Sequence, residues 1–392
     1  MSLMAQLARE LDDLAAQDLR RRLFTIEEVL PGGKVRLEGR VLLNLSSNDY
    51  LGLSRDPRLI AAAQEAAARF GVGAGASRLV CGHLALHEDT EARLARFKGT
   101  EAAVIFSTGY MANVGAISAL VGPGDTVFGD KLNHASIYDG IRLAGATLAR
   151  YPHRDLNRLE SLLKKSSSGR KLIITDSVFS VDGDLAPLRG LVTLKERYGA
   201  ALMVDEAHAT GVLGPGGAGL AEALGLTGAI EVHMGTFSKA LGSLGGYVAG
   251  DCRLIDYLHN RARSFIYSTA LPPPVVGAIH RALEVVAREP QPRHYLQEQA
   301  AQFRHLLEAA GFDTLGSETQ IIPVLVGENA PTLAFAARLR QEGLMAVALR
   351  PPTVPPGRAR VRFSLSAAHA PEDLARAREV IVAVGRELGL IG

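Results

Sequence analysis

Residues 229–250, "AIEVHMGTFSKALGSLGGYVAG", place a single lysine, Lys239, between two apolar runs. Both runs are short and bounded by glycine, a pattern that favours β-strands. The residues around Lys239 are small, hydroxylated or glycine, and no acidic residue stands beside it. A surface lysine needs no such surroundings. The pattern therefore predicts an amine at the end of a strand that reacts with a ligand.

Similar apolar runs recur upstream, separated by alanine-rich segments with helical spacing. They are "AAVIFS" (102–107), "DTVFGD" (125–130), "KLIITDS" (171–177) and "ALMVDEA" (201–207). This alternation predicts an α/β fold with a mostly parallel sheet flanked by helices. Beyond residue 287 the pattern becomes helix, strand, helix, strand, strand, helix, which predicts a smaller α+β domain at the carboxyl terminus.

The amino-terminal segment has a different pattern. Leu7, Leu11 and Leu14 recur at helical spacing and predict an amphipathic helix. The stretch "GGKVRLEGRVLLNL" (32–45) then predicts a hairpin. We therefore expect an amino-terminal helix and hairpin over residues 1–44, a large domain over 45–287 and a small α+β domain over 288–392. The stretch "KKSSSGRK" (164–171) predicts a polar loop within the large domain.

Composition narrows the classes of function. The chain has 392 residues and a formal net charge of +2, so it offers no basic surface of the kind that binds nucleic acid or a membrane. Its two cysteines, Cys81 and Cys252, cannot form a disulfide framework. The first thirty residues are charged throughout, and no apolar run is long enough to span a bilayer. These features predict a cytoplasmic protein.

Polar side chains follow five of the predicted strands. In an open parallel sheet, ligands bind beyond the carboxyl ends of the strands. The strand ends carry Ser107 and Thr108, then His134, then Asp176 and Ser180, then Asp205 and His208, and finally Thr236, Ser238 and Lys239. Taken singly, such an aspartate can cap a turn, such a histidine can be a satisfied polar group, and a Ser-Thr-Gly sequence can cap a helix.

Together, these groups match the needs of one cofactor, pyridoxal phosphate (PLP). PLP requires an amine for a Schiff base and a carboxylate that keeps its pyridine nitrogen protonated. Its phosphate suits the start of a helix with hydroxyl groups nearby. We therefore expect Lys239 to be the amine, and the domain over 45–287 to bind the cofactor.

Two other motifs are weaker. "GVGAGA" (71–76) fits a dinucleotide-binding pattern, but it follows a predicted helix rather than a strand. Cys81, His83 and His87 have metal-like spacing without a second ligand cluster. We therefore predict neither a dinucleotide site nor a metal site.

Seven motifs give the chain a family resemblance. They are "SSNDYLGL" (46–53), "STGYMAN" (107–113), "NHASIYDGIRLAGA" (133–146), "VFSVDGDLAPL" (178–188), "MVDEAHATGVLGPGG" (203–217), "GTFSKALGSLGG" (235–246) and "YSTALPPP" (267–274). In this order they resemble the α-oxoamine synthases, PLP-dependent enzymes of fold type I. The resemblance implies that fold, and a reaction that condenses an amino acid with an acyl thioester and releases carbon dioxide.

The resemblance also implies roles for individual residues. Lys239 is expected to be the Schiff-base lysine and general base, Asp205 to pair with the pyridinium, His208 with the ring oxygen, and His134 to stack on the ring and contact substrate. The further cofactor-binding residues implied are Gly109, Tyr110, Ser180, Thr236, Ser268 and Thr269. Asn48 and Arg362 are expected to bind the amino acid's carboxylate. Tyr267 is expected to contact substrate from the segment that reaches into a neighbouring subunit, which implies a homodimer with shared active sites.

Within the family, "RPPTVP" (350–355) resembles the branch that joins L-alanine to a pimeloyl thioester in biotin biosynthesis. This implies that Thr353 and Arg20 lie near the acyl substrate, carried by coenzyme A or by an acyl carrier protein. Two alternatives stay open at this point. One is a glycine C-acyltransferase of the same family, and the other is a non-catalytic binding module on the same fold, which would require loss of Lys239 or Asp205.

Overall fold

The computed structural model describes residues 2–166 and 169–392. Two serines of the predicted polar loop, Ser167 and Ser168, lie outside the described residues. Contacts divide the chain into two compact units. The smaller unit comprises Met1–Ser47, Val181–Asp184 and Leu296–Gly392, and the larger unit comprises Asn48–Ser180 and Leu185–Tyr295.

The strands are β1 (Glu28–Leu30), β2 (Lys34–Leu37), β3 (Arg40–Asn44), β4 (Ala102–Phe106), β5 (Thr126–Asp130), β6 (Thr147–Tyr151), β7 (Lys171–Asp176), β8 (Ala201–Asp205), β9 (Val232–Thr236), β10 (Gly246–Gly250), β11 (Ile321–Gly327), β12 (Leu344–Met345), β13 (Val347–Leu349) and β14 (Ala359–Ser364). The helices are α1 (Leu3–Ala16), α2 (Pro57–Phe70), α3 (Ala85–Lys98), α4 (Gly109–Leu120), α5 (Ala135–Ala144), α6 (Leu156–Lys165), α7 (Leu188–Tyr198), α8 (Leu220–Ala223), α9 (Cys252–Arg261), α10 (Arg263–Ile266), α11 (Pro273–Arg288), α12 (Gln291–Ala309), α13 (Asn329–Gln341) and α14 (Pro371–Glu387).

The larger unit is built on one mixed sheet, which has seven strands within the described residues, in the order β4-β10-β9-β8-β7-β5-β6. Four neighbouring pairs are parallel, namely β9 with β8, β8 with β7, β7 with β5, and β5 with β6. β10 runs antiparallel to both β4 and β9. The five strands predicted upstream and around Lys239, together with β10, are confirmed, and so is the predicted fold class.

Residues of β4, β5, β7, β8, β9 and β10 contribute buried side chains to a core that also includes α4, α5, α9 and α10. The strands that form the centre of this sheet are apolar over most of their length because both of their faces are covered. Phe106 of β4 and Phe265 of α10 meet edge to face in this core, with ring centroids 6.0 Å apart. This packing fixes the positions of the strand ends.

The edge strand β6 was not predicted from the sequence. It pairs only with β5 among the described strands, and Thr147, Leu148 and Arg150 along it are exposed. An edge strand with one face in solvent lacks the continuous apolar run that marked its neighbours.

The smaller unit contains two sheets in its described part. β2 and β3 form the predicted antiparallel hairpin, β1 pairs with β2, and the short β12 runs parallel to β3. β14 lies between β11 and β13 in a second, antiparallel sheet. After residue 287 the predicted helices and strands are present, and one further short strand, β12, which was not predicted, precedes β13. The predicted helix α1 is also confirmed, and none of its residues is buried.

None of the helices in the described parts of the chain combines the length and the apolar character that a membrane crossing requires.

Candidate active site

A cavity of about 220 Å³ lies in the larger unit at the edge where β7, β8 and β9 end. Its lining includes seven residues that the sequence predicted, namely Gly109, Tyr110, His134, Asp205, His208, Thr236 and Lys239. The cavity is also lined by Thr108, Asn113, Ser136, Asp176, Val178, Ala207, Met234 and Ser238. The strand ends therefore bring the predicted amine, carboxylate and histidines together, as the rule for parallel sheets requires.

Lys239 lies in a tight loop that follows β9. The backbone N–H of Gly242 donates to the carbonyl oxygen of Lys239 at 2.9 Å, and that of Ser243 donates to the carbonyl of Phe237 at 2.9 Å. Gly242 has a φ of +65°, and a Cβ there would lie 2.4 Å from the backbone nitrogen of Ser54, so this position requires glycine. Nζ of the half-buried Lys239 donates to Oγ1 of Thr236 at 3.3 Å. The small residues noted in the sequence thus allow the turn that directs the lysine into the cavity.

Asp205 ends β8 and is held by two donors. Nδ2 of Asn113 donates to its Oδ2 at 2.8 Å, and the backbone N–H of Ala207 donates to its Oδ1 at 2.9 Å. Asn113 lies on α4, and its Nδ2 also donates to Oγ of Ser136 at 2.9 Å. Hydrogen bonds to both oxygens fix the orientation of the carboxylate.

His134 precedes α5 and caps it. The backbone N–H of Ser136 donates to its Nδ1 at 3.3 Å, and the Ser136 hydroxyl lies 2.7 Å from the same nitrogen. Because a backbone N–H can only donate, Nδ1 is an acceptor and the proton of the neutral ring is on Nε2. Burial lowers the pKa of His134, the nearby Asp205 carboxylate opposes this, and the Lys239 ammonium adds to the lowering. His134 is therefore neutral at physiological pH.

His208 lies in the loop after β8, in contact with Tyr50. Oη of Tyr50 lies 2.7 Å from Nδ1 of His208 and donates to Oδ1 of Asn48 at 3.2 Å. Tyr50 is fully buried. The predicted residues Asn48 and His208 are thus joined through a tyrosine, which fixes the plane of the histidine ring.

The start of α4 provides a site for an anion. Oγ1 of Thr108 accepts the backbone N–H of Met111 at 3.1 Å and caps the helix. A Cβ on Gly109 would lie 2.3 Å from Cγ2 of Thr236, so glycine lets the helix start approach β9. Backbone N–H groups at a helix start, with hydroxyls nearby, bind phosphate well. Tyr110, which also lines the cavity, donates from Oη to Oδ2 of Asp139 at 2.7 Å.

Tyr50 and Asn113 contact predicted site residues but were not themselves predicted there, and Asp176, which the sequence places at a strand end, was given no role. Tyr50 and Asn113 lie in motifs that support the family resemblance, but nothing in their spacing shows which residue each contacts. Asp176 follows an apolar run as Asp205 does, and this pattern predicted its position at a strand end without distinguishing its role from that of Asp205.

The remaining predicted residues lie elsewhere. In the larger unit, Ser268 and Thr269 line a small hollow that the lysine does not reach, and Ser180 is not among the described residues that line the lysine cavity. Tyr267 is 71% exposed, with the guanidinium of Arg263 4.8 Å from its ring centroid. In the smaller unit, Arg20 and Thr353 line one cavity of about 530 Å³, and Arg362 lies on β14. The roles predicted for these residues stay predictions.

A cavity of about 730 Å³ occupies the opposite edge of the large sheet, where β7, β8 and β9 begin. It is larger than the lysine cavity, but its lining contains none of the predicted site residues. Size alone therefore does not identify the active site in this chain.

The groups in the lysine cavity fit PLP. They include an amine, a hydrogen-bonded carboxylate, a neutral histidine and a helix start with hydroxyl groups. Two buried oxygens of the lining, Oδ1 of Asn113 and Oδ1 of Asp176, have no hydrogen-bond partner among the described residues. Buried polar atoms without partners are rare in folded proteins, and here they lie where a ligand would supply the missing bonds.

Comparisons with known proteins agree with this site. The sequence matches the model of the family "Aminotransferase class I and II" over residues 40–381. It is 53% identical to the 8-amino-7-oxononanoate synthase of Geobacter sulfurreducens over 388 aligned residues. The alignment covers 98% of this chain and 99% of that protein.

Solved structures show the same fold. A variant of serine palmitoyltransferase from S. paucimobilis with a bound PLP–myriocin aldimine matches with a TM-score of 0.95 and 32% identity, over 100% of both chains. An 8-amino-7-oxononanoate synthase from Francisella tularensis matches with a TM-score of 0.77 and 28% identity, over 88% of this chain and 98% of that one.

Proposed function

The chain belongs to the class I and II aminotransferase family, and on that premise we propose that it is a PLP-dependent acyltransferase that makes 8-amino-7-oxononanoate for biotin biosynthesis. In this reaction L-alanine and a pimeloyl thioester give 8-amino-7-oxononanoate, carbon dioxide and the free thiol of the acyl carrier. The observation that supports it most is the cavity that joins Lys239, Asp205, His134 and His208, in a chain that is 53% identical to a relative of this name over nearly its full length.

PLP, when bound, supplies an electron sink for the carbanion at Cα of the amino acid. Lys239 binds the cofactor, and its Nζ takes the proton from Cα of alanine and later returns a proton. Thr236 accepts a hydrogen bond from Nζ and limits where the amine can move. Asp205 holds the pyridinium with a carboxylate that Asn113 and Ala207 keep in place.

His134 would stack on the cofactor ring and contact the acyl substrate. With Nδ1 occupied by Ser136, its Nε2–H is the group that can donate to the thioester carbonyl as the carbon–carbon bond forms. His208, oriented by Tyr50, would pair with the cofactor's ring oxygen. Gly109, at the start of α4, lets the backbone approach the phosphate.

Following the family resemblance, we assign the amino acid's carboxylate to Arg362, because a guanidinium can bind a carboxylate through two parallel hydrogen bonds. Asn48 keeps the substrate-binding role that the resemblance implies. The pimeloyl chain ends in a second carboxylate, which we assign to Arg20 with Thr353 nearby. The cavity that contains these two residues is lined by leucine, valine and alanine side chains between its arginines, so it suits a hydrocarbon chain with an anionic end.

The active enzyme is a cytoplasmic homodimer in this proposal. Tyr267, Ser268 and Thr269 act in the partner subunit's cavity, and the high exposure of Tyr267 in one chain supports this role. The exposed apolar side chains of α1, among them Leu3 and Met4, are further surface that a second chain would cover.

The family also contains enzymes with other substrates, and the TM-score to serine palmitoyltransferase is higher than that to the solved oxononanoate synthase. Overall similarity of backbone does not decide substrate choice, because function depends on the site. The 53% identity to an oxononanoate synthase, against 32% to serine palmitoyltransferase, favours alanine and a pimeloyl thioester.

A substrate matrix tests this proposal. Purified protein is assayed with alanine, glycine or serine against pimeloyl-, acetyl- or palmitoyl-CoA, and release of free thiol is followed. We expect the highest kcat/KM for alanine with pimeloyl-CoA. A preference for glycine with acetyl-CoA would identify a glycine C-acyltransferase, and a preference for serine with palmitoyl-CoA would identify a sphingolipid enzyme. Either result would overturn the assignment.

A further inference from the structure

Two aspartates occupy equivalent positions on neighbouring strands of the lysine cavity. Asp176 ends β7 and Asp205 ends β8, and the two residues are direct partners in the parallel pairing. Directly paired residues on adjacent strands point to the same face of a sheet, and the strands lie about 4.8 Å apart. Both side chains line the cavity, and they are only 3% and 5% exposed.

The hydrogen bonds of the two carboxyl groups differ. Each oxygen of Asp205 accepts an N–H donor. Asp176 receives one donor, the backbone N–H of His134, which lies 3.1 Å from its Oδ2. Its Oδ1 is buried and has no partner among the described residues. A buried carboxylate needs donors at both oxygens to be stable as an anion, and Asp205 has them whereas Asp176 does not.

Burial and the two neighbouring carboxylates also favour the neutral form of Asp176. The groups that act on it are Asp205 on β8, Asp130 at the end of β5, His134 before α5 and the ammonium of Lys239 after β9. Burial raises the pKa of Asp176 well above its usual value, and the charges on Asp205 and Asp130 raise it further, while the His134 N–H and Lys239 oppose this. Two adjacent carboxyl groups in a low-dielectric site share one negative charge, and the better-solvated group keeps it.

We propose that Asp176 is a cofactor-binding residue that acts as a neutral carboxylic acid, with a proton on Oδ1 that is donated to an anionic oxygen on the ring of the bound cofactor. This assignment rests on the PLP site of the proposed function, but not on the choice of amino acid or acyl substrate. The site then contains one carboxylate for the pyridinium, Asp205, and one acid that donates a hydrogen bond. Both come from the same kind of strand end.

Paired substitutions separate a neutral Asp176 from an ionised one. Asp176→Asn keeps the shape, the neutral charge and a donor, so the Kd for PLP, measured by equilibrium dialysis, is expected to stay within about threefold of wild type. Asp205→Asn is the matched control on the next strand, and it removes a charge that the cofactor needs. Asp176→Ala removes the donor, and its Kd is expected to rise by about tenfold, as the loss of one hydrogen bond to a charged group would produce.

Infrared spectroscopy tests the protonation state without turnover. The difference spectrum between the wild-type holoenzyme and either Asp176 variant, at neutral pH in D₂O, is expected to show the C=O stretching band of one protonated carboxyl group in the wild type. Absence of that band, or a loss of PLP in Asp176→Asn as large as in Asp205→Asn, would show that Asp176 is an anion. A Kd for Asp176→Ala equal to that of wild type would show that it donates nothing to the cofactor. These measurements use no acyl substrate. A wrong substrate assignment, which the matrix assay would reveal, can therefore be told apart from a wrong role for Asp176.

Discussion

Removal of the Arg20 guanidinium is expected to weaken binding of the acyl substrate and to leave alanine binding intact. Arg20 and Thr353 line the same cavity of the smaller unit, and the walls between its arginines are mainly apolar. A charge-assisted hydrogen bond contributes about 1.5–3 kcal/mol. Because Arg20 is exposed to solvent, which screens its charge, we take the lower end, equivalent to about tenfold in affinity.

The assay is steady-state thiol release with pimeloyl-CoA at saturating alanine. Arg20→Ala should raise the KM for pimeloyl-CoA by about tenfold, while the alanine-dependent change in the cofactor spectrum keeps its wild-type midpoint. Arg9→Ala is the matched control, since Arg9 is an exposed arginine on α1 that lines none of the described cavities.

Arg21 provides the sharper comparison. Its Nη2 donates to Oγ1 of Thr353 at 3.3 Å, and it lines the same cavity as Arg20. If Arg21→Ala raises the KM for pimeloyl-CoA and Arg20→Ala does not, the carboxylate is bound by Arg21 and the assignment to Arg20 is wrong. If neither substitution changes the KM, this cavity does not bind the acyl chain.

Three further predictions concern the larger unit. Borohydride should fix the cofactor covalently on Lys239, as mass spectrometry of peptides can show, and Lys239→Ala should abolish turnover; labelling of another lysine would refute this role. Asp205→Asn should reduce exchange of the alanine α-proton, followed by NMR in D₂O, by at least about tenfold; exchange near the wild-type rate would leave Asp205 a purely structural role. Burial alone would raise the pKa of Glu206. The buried Lys98 ammonium, 2.5 Å away, together with His233 and the backbone N–H of Ala221, lowers this pKa to about 2. Because this folded-state pKa lies below the unfolded one, ionised Glu206 stabilises the folded chain by about 3 kcal/mol above pH 4.5, and this stabilisation is lost as the pH falls towards 2. Glu206→Gln should therefore have a lower free energy of unfolding at pH 7, measured with urea, and should not show this loss of stability in acid.

The sequence predicted the fold wherever local pattern and tertiary environment agree. β7, β8 and β9 are apolar over most of their length because they lie in the middle of a sheet, and each ends in a polar residue at the cavity. The same agreement identified Lys239, since its loop needs small residues to turn. β6 was missed because an edge strand follows no such pattern.

Contacts made across the sequence could not be predicted in the same way. Asn113 holds Asp205 from a helix 92 residues earlier in the chain, and Tyr50 contacts His208 over a separation of 158 residues. Neither pair follows from periodicity, because periodicity reports which face of an element is buried and not which residue it meets. Such pairs depend on the packing of α4 against the sheet and on the course of the chain after residue 48.

The two strand-end aspartates show which part of the site's chemistry could not be predicted from the sequence. In the sequence, "TDSVF" (175–179) and "VDEAH" (204–208) are equivalent, since an acid follows an apolar run in both. The structure separates them by their donors, because within the described part of the chain Asp205 accepts two N–H groups and Asp176 accepts one. That difference decides which of two neighbouring acids bears the charge, and the charge decides which of them can hold a pyridinium. A residue's type and its position on a strand therefore predicted the location of the chemistry, whereas the division of roles between the two acids depends on hydrogen bonds formed only in the folded chain.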